Sequence, residues 1–147
     1  MKELKKGEDF IGNCVVFFCH DGKGNVVMSK RGQNARDEKG VWDIGGGGIE
    51  FGDTVENTLR QEIQQEYGTD VLDYEFLGYR DVHRINNNKP THWIALDFKV
   101  LIDPSKVKNG EPHKFDDVKM FSVKDLPKEI HSQFPLFLKL YKEKLGI

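Results

Sequence analysis

The chain has 147 residues, 37% hydrophobic and 31% charged, with 22 Lys and Arg against 24 Asp and Glu for a formal charge of −2. This length fits one domain over 1–147 with a single real core. The balance of charge gives no basic footprint for nucleic acid and no polybasic signal for a membrane surface, and no apolar run approaches the ~20 residues of a bilayer span.

The start, Met1-Lys2-Glu3-Leu4-Lys5-Lys6-Gly7, lacks the apolar stretch of a secretory signal. Residues 13–19 form a β-branched and aromatic run that contains both cysteines, Cys14 and Cys19. In a strand, positions an odd number apart face opposite ways, so the two thiols are expected not to pair. Two small buried thiols suit a reducing compartment, and a cytoplasmic location is expected. A turn over 20–25 and a second run at 26–28 read as a hairpin or adjacent strands. Residues 32–40 read as an exposed loop. A short apolar approach, Val41-Trp42-Asp43-Ile44, then leads to four glycines, Gly45 to Gly48.

Residues 53–67 have a helical pattern that stops at Gly68. Asp53 is expected to cap the first turn, with Glu56 completing a capping box, and Gly68 suits a left-handed residue past the end. Further strands are expected over 74–82, 93–102 and 118–123. A closing helix over 131–144 would place Phe134, Phe137, Leu138 and Tyr141 on one face. Several strands mixed with helices give an α/β or α+β domain.

At 100° per residue, Val55, Leu59 and Ile63 form the apolar stripe of the first helix. Glu62 and Glu66 fall along one edge of that stripe, one turn apart. A solvated face places carboxylates opposite the stripe instead. Like charges at this spacing repel, more strongly where solvation is poor, so a positive partner is expected. It is either a divalent cation or a Lys or Arg from another segment. The glycines upstream either present amides to phosphate at a helix N-terminus or make a tight turn without function.

Together these residues resemble the Nudix family of phosphoanhydride hydrolases, whose box reads G-x5-E-x7-R-E-U-x-E-E-x-G-U with U a bulky aliphatic. Gly47 takes the first glycine and Asp53 the first acid. Gln61 stands at the Arg position, followed by Glu62 and Ile63. Gln65 and Glu66 take the paired acids, Gly68 the last glycine and Thr69 the final aliphatic. Trp42-Asp43-Ile44-Gly45-Gly46-Gly47 is similar to the W-x-aliphatic-P-G-G approach, with Gly45 for Pro, and Asp125-Leu126-Pro127 matches the late part of the family. Gln61 loses the family's cation and Gln65 loses one acid.

The resemblance implies an α/β/α sandwich with a mixed central sheet and a small-molecule nucleotide as substrate, cleaved by a MutT-like pyrophosphatase. It implies Mg²⁺, with Mn²⁺ able to substitute, on Glu62, Glu66 and the Gly47 carbonyl, with Gln65 as a weak ligand. Glu62, Glu66 and Asp53 are the implied catalytic group, Asp53 through the helix start. Arg31, Gly46 and Gly47 are the implied substrate contacts. Glu62, Glu111, Asp116 and Asp117 are candidates for the general base, and Tyr79, Arg80, His83 and Arg84 for the substrate side. Neither nucleic acid nor a membrane is an expected partner, and a homodimer is compatible with the resemblance. The two glutamines leave a second reading, a non-catalytic module that binds a nucleotide or a protein.

Overall fold

A computed structural model describes residues 2–147; Met1, part of the leading segment read above, lies outside the described residues. Seven strands form one mixed sheet. They are β1 (Gly12–His20), β2 (Asn25–Arg31), β3 (Trp42–Asp43), β4 (Gly45–Gly48), β5 (Asp73–Asn86), β6 (Lys89–Leu101) and β7 (Phe115–Ser122). The main order is β3-β2-β1-β6-β5, with β4 added to β1 and β7 to β2. β1 and β6 run parallel along their length; the other pairs are antiparallel.

The β1 sequence alternates so that each sheet face has its own core. Val15, Phe17 and Cys19 pack with Val27, Phe98 and Val100 against Leu59, Ile63 and Tyr67 of α1 (Val55–Tyr67). Phe18, Val26 and Met28 face the other way, onto Phe134, Phe137 and Tyr141 near the C-terminus. Covering both faces of a sheet with helices buries its apolar side chains twice over and gives the expected α/β/α sandwich. Cys14 and Cys19 are free thiols on opposite faces. Among the described residues no helix is long and apolar enough to cross a membrane.

Four local expectations change. The glycines at 45–48 are not a loop but strand β4, paired with Cys14 to Phe17 of β1. They carry no side-chain signal for a strand, and backbone pairing alone makes them one. Thr54, not Asp53, caps α1: its hydroxyl accepts from the Asn57 N–H at 3.0 Å. Asp53 sits one residue earlier and accepts from the Thr54 N–H and the Asn57 amide. Glu56 makes no capping box and pairs with Arg60 instead. Val55 is 36% exposed, so the buried apolar stripe begins at Leu59.

The closing helix is shorter and broken. It comprises α2 (Phe134–Leu140) and α3 (Lys142–Leu145), with Tyr141 between them at φ −110° and ψ 18°. Pro135 suits the first turn of α2, since the missing N–H there has no partner to lose. β5 and β6 extend past their expected ends and meet at Asn87 and Asn88, with φ of 51° and 63°. Asn tolerates this left-handed pair, so a two-residue turn closes a long hairpin. The distal hairpin is polar, which hides it from a hydrophobic pattern.

Candidate active site

α1 lies so close to β4 that side chains on the strand would block it. A Cβ on Gly45 would run into the Phe17 ring and the Tyr67 hydroxyl. A Cβ on Gly47 would overlap the Glu62 carboxyl group. Gly45 and Gly47 thus leave room for the Phe17 and Tyr67 side chains and for the Glu62 carboxyl group.

Glu66 is 2% exposed. Its Oε2 is buried without a hydrogen-bond partner. Burial pushes its carboxyl up to about 8, although Lys114 and a Gly46 backbone hydrogen bond pull the other way. Glu62, half-buried one turn earlier, is also raised by burial, with Glu111 and Glu50 adding to it and Lys114 opposing. The angular placement of this pair at the edge of the stripe thus leads to two poorly solvated carboxylates.

A third acid joins them from the segment before β7. The Lys108 N–H donates to the Tyr67 carbonyl at 2.9 Å and the Gly110 N–H to the Glu66 carbonyl at 3.0 Å. These bonds satisfy the open C-terminus of α1 and dock residues 108–114 beside it. Glu111 and Lys114 are brought in together. The Lys114 Nζ lies 3.9 Å from Glu66 Oε1 and 3.8 Å from Glu111 Oε1. A lysine from another segment thus stands beside Glu66 and Glu111. Of the base candidates, Glu62 and Glu111 belong to this cluster. Asp116 and Asp117 are exposed on β7, and Asp117 accepts from its neighbour's N–H.

Glu66 and Gly46 border a cavity of about 330 Å³ whose cations are Arg31, Arg36, Arg80, Arg84 and Lys114. Trp93, Phe134 and Phe137 supply apolar wall. Arg80 is held by two bonds to Asp97, Nε to Oδ2 at 2.7 Å and Nη2 to Oδ1 at 2.9 Å. Asp97 is fully buried and also accepts from the Tyr141 hydroxyl at 2.6 Å. Arg31 and Arg84 meet at Asp37, and Arg84 also reaches Glu38 at 2.6 Å. Arg31 therefore lines the cavity already engaged by a carboxylate. Asp43 borders the same space, and burial raises it to about 7.

Among the expected site residues, Arg31, Gly46 and Glu66 border the cavity. Glu62 and Gly47 lie against each other and do not line it. Gln65 is exposed, and Asp53 stays in the turn before α1. Arg80 and Arg84 face the cavity; Tyr79 and His83 alternate to the outer, exposed face of β5. Sequence reading missed the roles of Lys114, Asp37, Glu38 and Asp97. Only Asp97 carried a signal: a lone carboxylate inside an apolar strand needs a buried partner.

A mixed sheet thus lies between helices, with clustered carboxylates beside a cleft lined by arginines. The model of the NUDIX domain matches residues 11–140, and the chain belongs to that family. Solved structures of similar fold include a MutT NUDIX hydrolase from Burkholderia pseudomallei, with TM-score 0.77 and 21% identity over 88% of this chain and 97% of that one. A MutT protein from Methanosarcina mazei Go1 has TM-score 0.77 and 17% identity over 97% and 98% of the two chains. The NUDIX domain of Shewanella oneidensis NrtR, in complex with ADP ribose, has TM-score 0.73 and 16% identity over 97% and 90%.

Proposed function

We propose that the chain, acting as one domain, is a Mg²⁺-dependent pyrophosphohydrolase. Its substrate is a nucleoside triphosphate or a nucleoside diphosphate joined to another group. The observation that carries this reading is the buried Glu66 carboxylate, with one oxygen unpartnered, beside Glu62 and against a glycine strand. A buried carboxylate oxygen without a partner is costly, and retaining Oε2 so is explained by a ligand that it binds. The donor set consists of hard oxygens, which suit Mg²⁺. Glu62, Glu66 and the Gly47 carbonyl would hold the ion, with the Gln65 amide oxygen as an outer, weaker partner. An ion held there would supply charge to offset the phosphates and would lower the pKa of water.

The chain's own groups do the rest. Arg80, pinned by Asp97, keeps Nη1 free of that pair and can face a phosphate oxygen from a fixed position. Arg31, Arg36 and Arg84 line the cleft, Arg31 and Arg84 held by Asp37 and Glu38, and offer guanidinium groups to a polyanion's phosphates. Trp93 and the α2 phenylalanines can cover an apolar base. Glu62 or Glu111 takes the proton of the attacking water. Asp53 supports the start of the helix that holds both glutamates. The ADP ribose bound by the Shewanella neighbour is a nucleoside diphosphate derivative of the class proposed.

A panel of nucleoside triphosphates, ADP-ribose and nucleotide sugars tests the reading. Turnover is expected with Mg²⁺ and lost on chelation; turnover that survives chelation contradicts it. Glu66→Gln is expected to lower kcat by about 100-fold or more, with a melting temperature close to wild type. The Gln61 and Gln65 replacements favour the second reading, a binding module. Tight nucleotide binding without turnover under any divalent metal would establish that one instead.

A further inference from the structure

Lys114 stands where the cluster would otherwise lack a cation. Gln61 has no charge to offer, and Glu62, Glu66 and Glu111 bring three carboxylates. Its ammonium is 3.9 Å from Glu66 and 3.8 Å from Glu111, longer than a tight charge-assisted hydrogen bond. The side chain is 47% exposed, whereas that of Glu66 is 2% exposed. Its backbone, by contrast, is fixed: the Lys114 N–H donates to the Glu111 carbonyl, and the Lys114 carbonyl accepts from the Gly32 N–H. A rigid base with a loosely held tip describes a tethered ion. The tip also has somewhere to go, because the exposed side of Lys114 opens to solvent, where an ammonium is well hydrated.

We infer that Lys114 is an internal counter-ion that competes with the divalent metal for the Glu66 carboxylate and must turn out of the cluster for the metal to bind. The inference rests on the proposed metal site. Its physical basis is that an ammonium and a doubly charged ion cannot share the same carboxylate oxygens: each repels the other at contact distance. While the metal is absent, the lysine stabilises the acids and so opposes loading. The positive charge that Gln61 removes from the box is thus partly restored from a distant segment, in a form that leaves when the metal arrives.

The experiment is titration calorimetry with Mn²⁺ on the metal-free protein, comparing wild type, Lys114→Met and Lys114→Arg. A partly exposed ion pair changes an equilibrium by a modest factor, so Lys114→Met is expected to bind Mn²⁺ about three- to tenfold more tightly. Lys114→Arg keeps the charge and is expected to bind no more tightly than wild type. By linkage, saturating Mn²⁺ should raise the melting temperature of Lys114→Met more than that of wild type. Equal or weaker affinity in Lys114→Met overturns the role of the lysine and leaves the metal site standing. Absence of Mn²⁺ binding in both wild type and Lys114→Met removes the site, and the inference with it. Binding by Lys114→Met alone supports the competition in its strongest form.

Discussion

Gly47 has no side chain because the Glu62 carboxyl group occupies the space that one would take. Gly47→Ala is therefore expected to push Glu62 off the strand. Overpacking of this kind costs about 1–3 kcal/mol, so the variant should fold with a lowered melting temperature. Turnover is expected to fall at least about tenfold, because repositioning a metal-holding carboxylate by the width of a methyl group disturbs its aim. Unchanged turnover in a folded Gly47→Ala protein would mean that Glu62 is not needed where it stands. Glu66 illustrates the opposite economy: a buried acid kept in a position where a neutral residue would be more stable.

At the scale of an element, the 32–40 segment borders the cleft through Arg36 and Asp37 and is tied down by Glu38. Glu38 adopts φ 45°, uncommon for a residue with a side chain. Its carboxylate accepts from the Ser132 N–H at 2.8 Å and the Ser132 hydroxyl at 2.9 Å, and lies 2.9 Å from His131 Nε2. Burial would raise Glu38, but the Ser132 bonds bring it down. Glu38→Ala should cost about 1–2 kcal/mol, as expected for hydrogen bonds to a partly exposed charge. Hydrogen exchange over 33–39 should speed up, and unaltered exchange would show that the segment is held elsewhere.

The same contacts predict a response to acid. The Gln133 N–H donates to His131 Nδ1, which leaves Nε2 to carry the proton toward Glu38. Burial, with Arg31 and Arg84 adding to it, lowers His131 from 6.5 to about 4 against the pull of Glu38. The unfolded chain then binds more protons than the folded one between these values. Stability from a neutral His131 is present above about 6.5 and is lost as the pH falls toward about 4. His131→Gln is expected to flatten the melting temperature across that window. An equally steep decline in the variant would assign the acid sensitivity to other groups.

Across the whole molecule, Asp97 ties the C-terminal helices to the sheet and the sheet to the cleft. It sits on β6 opposite Gly78, at an irregularity in the β5 pairing, and Tyr141 reaches it beside that glycine. Gly78 has φ 153°, and a Cβ there would come within 3.2 Å of the Tyr141 oxygen. One carboxylate thereby fixes Arg80 for the substrate and anchors the break between α2 and α3. Asp97→Ala leaves Arg80 with a poorly solvated charge and is expected to cost about 3 kcal/mol or more, read from the midpoint of urea unfolding. A loss under about 1 kcal/mol would mean that water replaces the carboxylate.

The sequence was most legible where neighbours in the chain are neighbours in space. The extent of α1, its left-handed Gly68 end and the shared edge of Glu62 and Glu66 all follow from a period of 3.6 residues. So do the opposed faces of β1, from a period of two. The box motif carried the family for the same reason, since it lies within one helix and the turn before it. Capping slipped by one residue because Asp53 and Thr54 offer the same chemistry, and only the backbone angle selects between them. The glycine strand had no legible signal, since its partner β1 is about 30 residues away and its own side chains are absent. Lys114 reaches the acids because backbone bonds dock its segment on the end of α1. Asp37 and Glu38 meet Arg84 and His131 only once the sheet has brought those segments together. Local spacing thus determined which carboxylates would share a face, while long-range pairing alone decided which cations would confront them, because charges interact across space and not along the chain.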